Sequence, residues 1–327
     1  MTSISLSDMA QNFALRRQNT SLQADVRKHS TESTTGLVAD RGRALGGDFT
    51  ALSGIDSSLA RLNAYGSTLT QAETVASATQ SALDTINVSA GSLGIQMLDP
   101  TTSGNTTSLA ALAEIAASSF EATVAALNSQ VAGQLLFAGV ANVQPLPDAS
   151  AILSALQEAT AGATTAQEVS DRVAAWFASD QAYQGGADRA PSAVGDHDRV
   201  DATVTAGDPA LMRTVQALAM GALLSQGALE GQDDERRALA RITGTALTEA
   251  DAARTELSAR LGASQEHLAD IRTRDTAQIS ALKMARLDIL AVDPYESAVR
   301  LEATQTQIET LYSVTARLSR MSLADFL

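Results

Sequence analysis

Apolar residues recur every three or four positions over long stretches of this chain, which is the period of a helix with one buried face. One such stretch runs from Leu257 to Val292, inside a helical pattern that covers about 233–292. A weaker amphipathic pattern lies between Leu6 and Val26. The clearest stripe, in residues 55–86, contains Ile55, Leu59, Leu62, Tyr65, Leu69, Ala72, Ala76, Thr79, Leu83 and Ile86. The pattern therefore predicts long helices in both flanks.

The last stretch of the chain has the sharpest helix signals. Asp293 is a residue type that caps helices, Pro294 suits the first turn, and Glu296 completes a capping box. The apolar pattern continues to the final Leu327, so we expect a partner to cover this end. The seam behind the cap has the heptad spacing of a coiled coil and contains Leu301, Thr304, Ile308, Leu311, Thr315 and Leu318.

Proline and turn residues concentrate in the middle of the chain. A helix predicted from Leu109 to about Leu136 should end before Gly139 and two prolines. Short helices are expected around 170–180, followed by a hairpin that includes the alternating residues 200–205. Asp208 and Pro209 then signal the start of another helix.

These elements predict a mainly α fold, an elongated helical bundle or coiled coil formed by the N- and C-terminal flanks, with a small central α+β domain. The expected segments are an N-terminal assembly arm (1–50), the N-terminal half of the bundle (51–144), the central domain (145–207), the C-terminal half of the bundle (208–292) and a C-terminal assembly helix (293–327).

Composition argues against several classes of function. The net charge of -14 and the absence of any basic run longer than a pair argue against nucleic acid as a partner. The chain has no cysteine, so disulfides and thiolate catalysis are excluded. Its N-terminal stretch lacks the basic and apolar regions of a secretory signal. The most apolar stretch, 131–143, is too short to span a bilayer, so we expect no membrane insertion.

The candidate chemical sites are weak. The three histidines, His29, His197 and His267, lie in different predicted elements. His197 is surrounded by Asp196, Asp198 and Asp201, which could hold a cation, but a turn before a strand explains the same residues. Nucleotide-binding, serine-hydrolase and zinc-protease motifs do not occur. We therefore predict no enzyme activity, no catalytic or metal-binding residue and no cofactor.

Three segments resemble the flagellin-related hook-associated proteins of the bacterial flagellum. STTGLVAD at 33–40 is similar to the Ser/Thr-Gly loop after the first flagellin helix, and GQLLFAGV at 133–140 is similar to a Leu-Phe-x-Gly segment of the family. The stretch 293–327 is the most specific, and its ending RLSRMSLADFL favours hook-associated protein 3, the hook-filament junction group, over filament flagellin. The resemblance covers about 1–140 and 210–327.

The resemblance implies a structural protein that joins hook to filament through coiled-coil packing of its terminal helices. Its terminal segments would be disordered before assembly and would pair as helices afterwards. The implied partners are copies of the chain in a ring, an adjacent hook-associated protein, flagellin, and an export chaperone at the C-terminal part. The implied location is the extracellular flagellum, reached through the flagellar type III apparatus without a cleaved signal peptide.

The assembly interface is expected at the apolar positions of both ends. It contains Leu6, Met9, Phe13, Leu15, Leu22, Leu301, Ile308, Leu311, Leu318, Met321, Leu323, Phe326 and Leu327. Flagellin itself, the filament subunit, is an alternative within the same class. A soluble coiled-coil signalling scaffold is a more remote alternative from another class.

Overall fold

The computed structural model describes the backbone of residues 6–99 and 105–324, and these residues are mostly helical. The described helices are α1 (Leu6–Thr35), α2 (Arg41–Ala44), α3 (Thr50–Leu98), α4 (Thr106–Leu127), α5 (Ala149–Thr160), α6 (Ala166–Phe177), α7 (Pro209–Ser225), α8 (Asp233–Leu290) and α9 (Pro294–Ala324). Two short antiparallel hairpins pair β1 (Gln130–Val131) with β2 (Gln134–Leu135) and β3 (Ser192–Ala193) with β4 (Arg199–Val200). The predicted mainly α class is confirmed.

Side-chain caps begin the helices where the sequence predicts them. Asp208 Oδ1 accepts a hydrogen bond from the Ala210 amide at 2.9 Å, with Pro209 in the first turn of α7. Asp293 Oδ1 accepts one from the Tyr295 amide at 2.8 Å at the start of α9. Each cap satisfies an amide that the first turn of a helix leaves without an intrahelical partner.

The predicted helix from Leu109 to about Leu136 was wrong in its last part, because α4 ends at Leu127. The next residue, Asn128, pairs with the backbone of Leu146: its Nδ2 donates to the carbonyl at 3.0 Å, and its Oδ1 accepts from the amide at 3.1 Å. The chain then turns through Ala132 and Gly133, both with positive φ, into the β1–β2 hairpin. Consecutive positive φ values match the right-handed twist of paired strands and are incompatible with a continuing helix.

The predicted strand 200–205 was also displaced. Only Arg199 and Val200 pair with Ser192 and Ala193. The alternation that predicted the strand reflects burial, because Ala202, Val204 and Ala206 face the core from an irregular segment. The Ala206 amide donates to the Phe137 carbonyl at 2.9 Å and the Ser264 hydroxyl donates to the Asp201 carbonyl at 2.6 Å, so this segment is held by separate bonds rather than by a strand ladder.

The chain divides into two compact units. The first contains residues 1–62 and 276–327, and the second contains residues 63–275, so α3 and α8 contribute to both. In the first unit α1 packs along α9. The ends of this pair are joined where the Val38 amide donates to the Leu290 carbonyl at 2.9 Å and the Val292 amide donates to the Gly36 carbonyl at 3.0 Å.

The second unit has one continuous core. It is formed by α4 packed on α7, by the long helices α3 and α8, and by α5 and α6. Side chains from residues 145–207, such as Ile152 and Val173, belong to the same core as Phe120 and Leu218. The compact units therefore follow different borders from the five predicted segments, and the roles assigned to those segments stay a prediction.

Candidate assembly interface

The first unit is built around the seam between α1 and α9. On α9, Thr304 and Leu311 are buried, whereas Leu301, Ile308 and Leu318 are half-buried. The Thr304 hydroxyl donates to the Arg300 carbonyl of its own helix at 2.7 Å, so its polar atom is satisfied inside the seam. The heptad spacing thus places one face of α9 against α1, as coiled-coil geometry requires.

A buried carboxylate lies at the C-terminal end of α1. The Glu32 side chain, on the last turns of α1, is 5% exposed. Its Oε1 accepts from the Ala39 amide at 3.2 Å, and its Oε2 lies 3.1 Å from Nδ1 of His29. Because a buried carboxylate needs partners for its oxygens, these contacts fix the path of the chain as it leaves α1 at Gly36.

The thirteen predicted interface residues fall into three groups. Leu22 and Leu311 are buried, and Leu15, Leu301, Ile308 and Leu318 are half-buried. Met9 and Phe13 are 64% and 69% exposed. The side chains of Leu6, Met321 and Leu323, and the whole of Phe326 and Leu327, lie outside the described residues. The described seam is therefore covered within the chain by its own partner helix, and its role in assembly stays a prediction.

Met9 and Phe13 lie on a different face of α1 from the seam. At about 100° per residue, Phe13 points roughly opposite to Leu22, and Met9 lies one turn before it on the same side. The expected single stripe on α1 is thus two faces, one packed against α9 and one exposed.

Exposed apolar side chains also occur outside the interface predicted from the sequence. Tyr295 is 79% exposed on the first turn of α9, and Val299 lies one turn later on the same face. Met284 and Leu287 are exposed near the end of α8. The heptad pattern did not reveal them, because they lie off the seam that defines it.

The acidic turn that suggested a cation site holds the β3–β4 hairpin in place. Asp196 Oδ1 accepts from the Tyr65 hydroxyl at 3.1 Å, and Asp198 Oδ2 accepts from Arg274 Nη2 at 2.6 Å. The hydrogen bond that Arg274 donates to Asp198 is the main reason that the pKa of Arg274 is raised. In the ranges 6–99 and 105–324, no group of three or more His, Asp or Glu side chains is placed to hold a metal ion.

An open cleft of about 440 Å³ lies between the segment 201–209 and α8. Its polar side chains already have partners: Asp188 Oδ1 accepts from the Thr205 hydroxyl at 3.0 Å, and Asp208 caps α7. The Nη2 atom of Arg260, which also lines the cleft, lies 3.7 Å from Asp208 Oδ2. The carboxylates of the cleft thus serve the local fold rather than presenting free groups to a ligand.

Helix α4 is long and apolar enough to cross a membrane by length and composition. Its buried face, which includes Leu112, Ala116 and Phe120, packs on α7 inside the core of the second unit. A core helix of a helical bundle meets the same criteria, so this feature is weak support for a membrane span. The expectation of no membrane insertion stays a prediction.

Comparison with known proteins gives one informative match. Residues 241–327 match the family model of the bacterial flagellin C-terminal helical region, which is about a quarter of the chain. No curated protein matches the chain. Among solved structures, a "putative flagellar hook-associated protein" from Vibrio parahaemolyticus is 16% identical over 69% of this chain and 95% of its own, with a TM-score of 0.36. A TM-score this low does not establish that the two proteins share a fold.

The matched region contains most of α8 and all of α9, so it includes the α9 side of the seam and the Asp293 cap. This match supports a structural role in the bacterial flagellum. The chain carries a flagellin-type C-terminal helical region.

Proposed function

We propose that this chain is a structural subunit of the bacterial flagellum that joins hook to filament through its terminal helices, without catalysis. The observation that carries the proposal is that the flagellin-type region ends in α9, whose heptad seam packs along α1. Helices paired along their length distribute burial over many small contacts, which suits a protein that transmits force rather than one that binds a substrate.

The proposed partners are copies of this chain in a ring, an adjacent hook-associated protein, flagellin, and an export chaperone at the C-terminal part. The proposed location is the extracellular flagellum, reached by type III export without a cleaved signal. Met9 and Phe13 on α1, and Tyr295 and Val299 on α9, are exposed apolar side chains that a neighbouring subunit could cover.

Deletion of the gene in its native bacterium tests this role. We expect hooks without filaments in electron micrographs and flagellin released into the medium. Complementation with the parent sequence should restore filaments, whereas Leu311→Asp should not, because it places a charge in the seam. Thr310→Asp is the matched control, since it adds the same charge to an exposed position of the same helix. Intact filaments in the deletion strain would overturn the proposal.

Flagellin is the second candidate, because the matched family model is that of the flagellin C-terminal region. Addition of the purified chain to short filament seeds separates the two candidates. A flagellin would elongate the seeds into long filaments, whereas a junction protein would at most cap their ends. Long filaments formed by this chain alone would replace the junction proposal with the flagellin one.

A further inference from the structure

A buried arginine lies at the centre of the second unit. Arg254 of α8 is 1% exposed. Its Nε donates to Asn87 Oδ1 on α3 at 3.2 Å, and one Nη1 bond goes to Thr214 Oγ1 on α7 at 3.0 Å. Its other bonds stay within α8, to the Leu247 carbonyl at 3.3 Å and to Asp251 Oδ1 at 2.9 Å. One guanidinium therefore links three helices.

The position of Arg254 along α8 is as informative as its contacts. Positions seven residues apart on α8 form one buried line in which Arg254 stands between Leu247 and Leu261, with Leu268 and Asp275 beyond. On α3, a matching line of seven-residue steps contains Leu69, Ala76, Leu83, Ala90 and Met97, all of them buried. Arg254 thus occupies a core position of a heptad repeat, where an apolar residue is the rule.

Such a repeat leaves the alignment of two helices poorly determined. If α8 moved by one heptad, about 10 Å along its axis, Leu247 or Leu261 would take the place of Arg254 and the apolar lines would still meet. The two helices approach closely at one point, since a Cβ on Gly94 would lie only 3.1 Å from Leu247 Cβ, and one on Gly244 only 2.9 Å from the Gly94 carbonyl oxygen. This crossing also favours the observed alignment, but along the rest of the interface the burial of apolar side chains distinguishes only weakly between neighbouring alignments.

Arg254 strongly favours one alignment of α8 over its neighbours, because a buried charge without hydrogen-bond partners is costly. Its bonds to Leu247 and Asp251 move with α8, but those to Asn87 and Thr214 exist in one alignment only. A shift of one heptad in either direction would lose Thr214, and in one direction it would also place the guanidinium opposite Gly94, which has no side chain. Burial lowers the pKa of Arg254, which reflects the same desolvation of its charge.

We propose that Arg254 determines the register of α8 against α3 and α7, as the charged residue that stands between Leu247 and Leu261 in a mainly apolar heptad line. The acceptor that fixes the position of Arg254 against α3 is Asn87, and the acceptor that fixes it against α7 is Thr214. The Asn87 Nδ2 in turn donates to Ser258 Oγ of α8 at 3.1 Å, which adds a second bond with the same register. The inference does not depend on the flagellar role.

Distance measurements between spin labels test the register directly. The chain has no native cysteine, so Ser77→Cys on α3 and Ala263→Cys on α8 would carry the only two labels, both at exposed positions. The parent should give one narrow distance distribution. Arg254→Met, which keeps the volume and removes the charge, should add a second population at a longer distance, because the two labels start at about the same level and an axial shift of about 10 Å moves them apart.

The stability of the same variant separates a register role from ordinary packing. Arg254→Met removes a costly buried charge but leaves Asn87 Oδ1 without its donor, and because these effects oppose each other its urea midpoint should change little while its distances become heterogeneous. Arg260→Met is the matched control, because this arginine of the same helix is exposed, and it should keep the single distance.

A single, unshifted distance in folded Arg254→Met would overturn the proposal. If Arg254→Met does not fold, Thr214→Val supplies the test instead, since it removes one acceptor with little change of shape. A broadened distribution in Thr214→Val would support the register role, and a distribution identical to that of the parent would contradict it.

Discussion

Two glycines of α8 should respond to the same substitution with opposite signs. A Cβ at Gly244 would lie 2.9 Å from the Gly94 carbonyl oxygen and 2.9 Å from Leu98 Cγ, whereas one at Gly262 would meet nothing within 4 Å. Ordinary contacts of a Cβ begin at 3.4 Å, so α3 and α8 would have to separate by about half an ångström at Gly244. The neighbouring atom that limits the approach belongs to backbone and cannot rotate away.

Replacement of Gly244 by alanine has two opposing effects on the free energy of unfolding. Overpacking of a close-packed interior costs about 1–3 kcal/mol. Replacement of glycine by alanine inside a helix contributes about 0.8–1 kcal/mol in the other direction. We therefore expect Gly244→Ala to lower the free energy of unfolding by about 1 kcal/mol and Gly262→Ala to raise it by a similar amount. The difference between the two variants should be about 2 kcal/mol.

Equilibrium unfolding in urea, followed by circular dichroism at about 222 nm, measures this difference. Both glycines belong to the second unit, so one unfolding transition reports both substitutions. With a slope of roughly 2–3 kcal/mol per molar urea, each midpoint should shift by about 0.3–0.5 M, in opposite directions. If Gly244→Ala were as stable as Gly262→Ala, the crossing of α3 and α8 would not be close-packed and the reasoning would fail.

Three further outcomes are expected. Gly139→Ala should destabilise the chain by at least about 3 kcal/mol, because Gly139 has a φ of +63° and its Cβ would lie 2.3 Å from the Ala187 carbonyl oxygen; a normal thermal midpoint would contradict this. Glu73→Gln, which weakens the exposed ion pair with Arg272, should cost less than about 1 kcal/mol, and still less in 1 M salt. Brief trypsin digestion of the monomer, analysed by mass spectrometry, should remove roughly the first 45 and last 35 residues if the terminal helices are ordered only by assembly, and protected ends would oppose that expectation.

The starts of the helices could be predicted from the sequence because their causes are local. Asp208 and Asp293 bond to amides two residues away, so residue type and spacing are sufficient. The end of α4 could not be predicted in the same way. It is fixed by the pairing of Asn128 with Leu146, eighteen residues further along, and a periodic apolar pattern contains no record of that contact.

Burial at the candidate interface could be predicted only where the angular position of each residue around its helix was taken into account. Leu22 and Leu311 are buried within the chain, but Met9 and Phe13 are exposed on the far side of α1. Their apolar character was counted without their angle of about 140–180° from Leu22. Glu32 was missed because a charged residue does not belong to an apolar stripe, although it is buried at the end of α1.

The matched family region and the compact units divide the chain at different places, and the reason is physical. Similarity to the flagellin C-terminal region follows the sequence from 241 onward, whereas compactness follows burial. The α8 part of that region buries Leu247 and Arg254 against α3 and α7, and its α9 part buries Leu311 along α1. The buried faces of these two helices are thus completed by residues that precede the region, so its sequence and the N-terminal helices constrain each other although they are far apart in the chain.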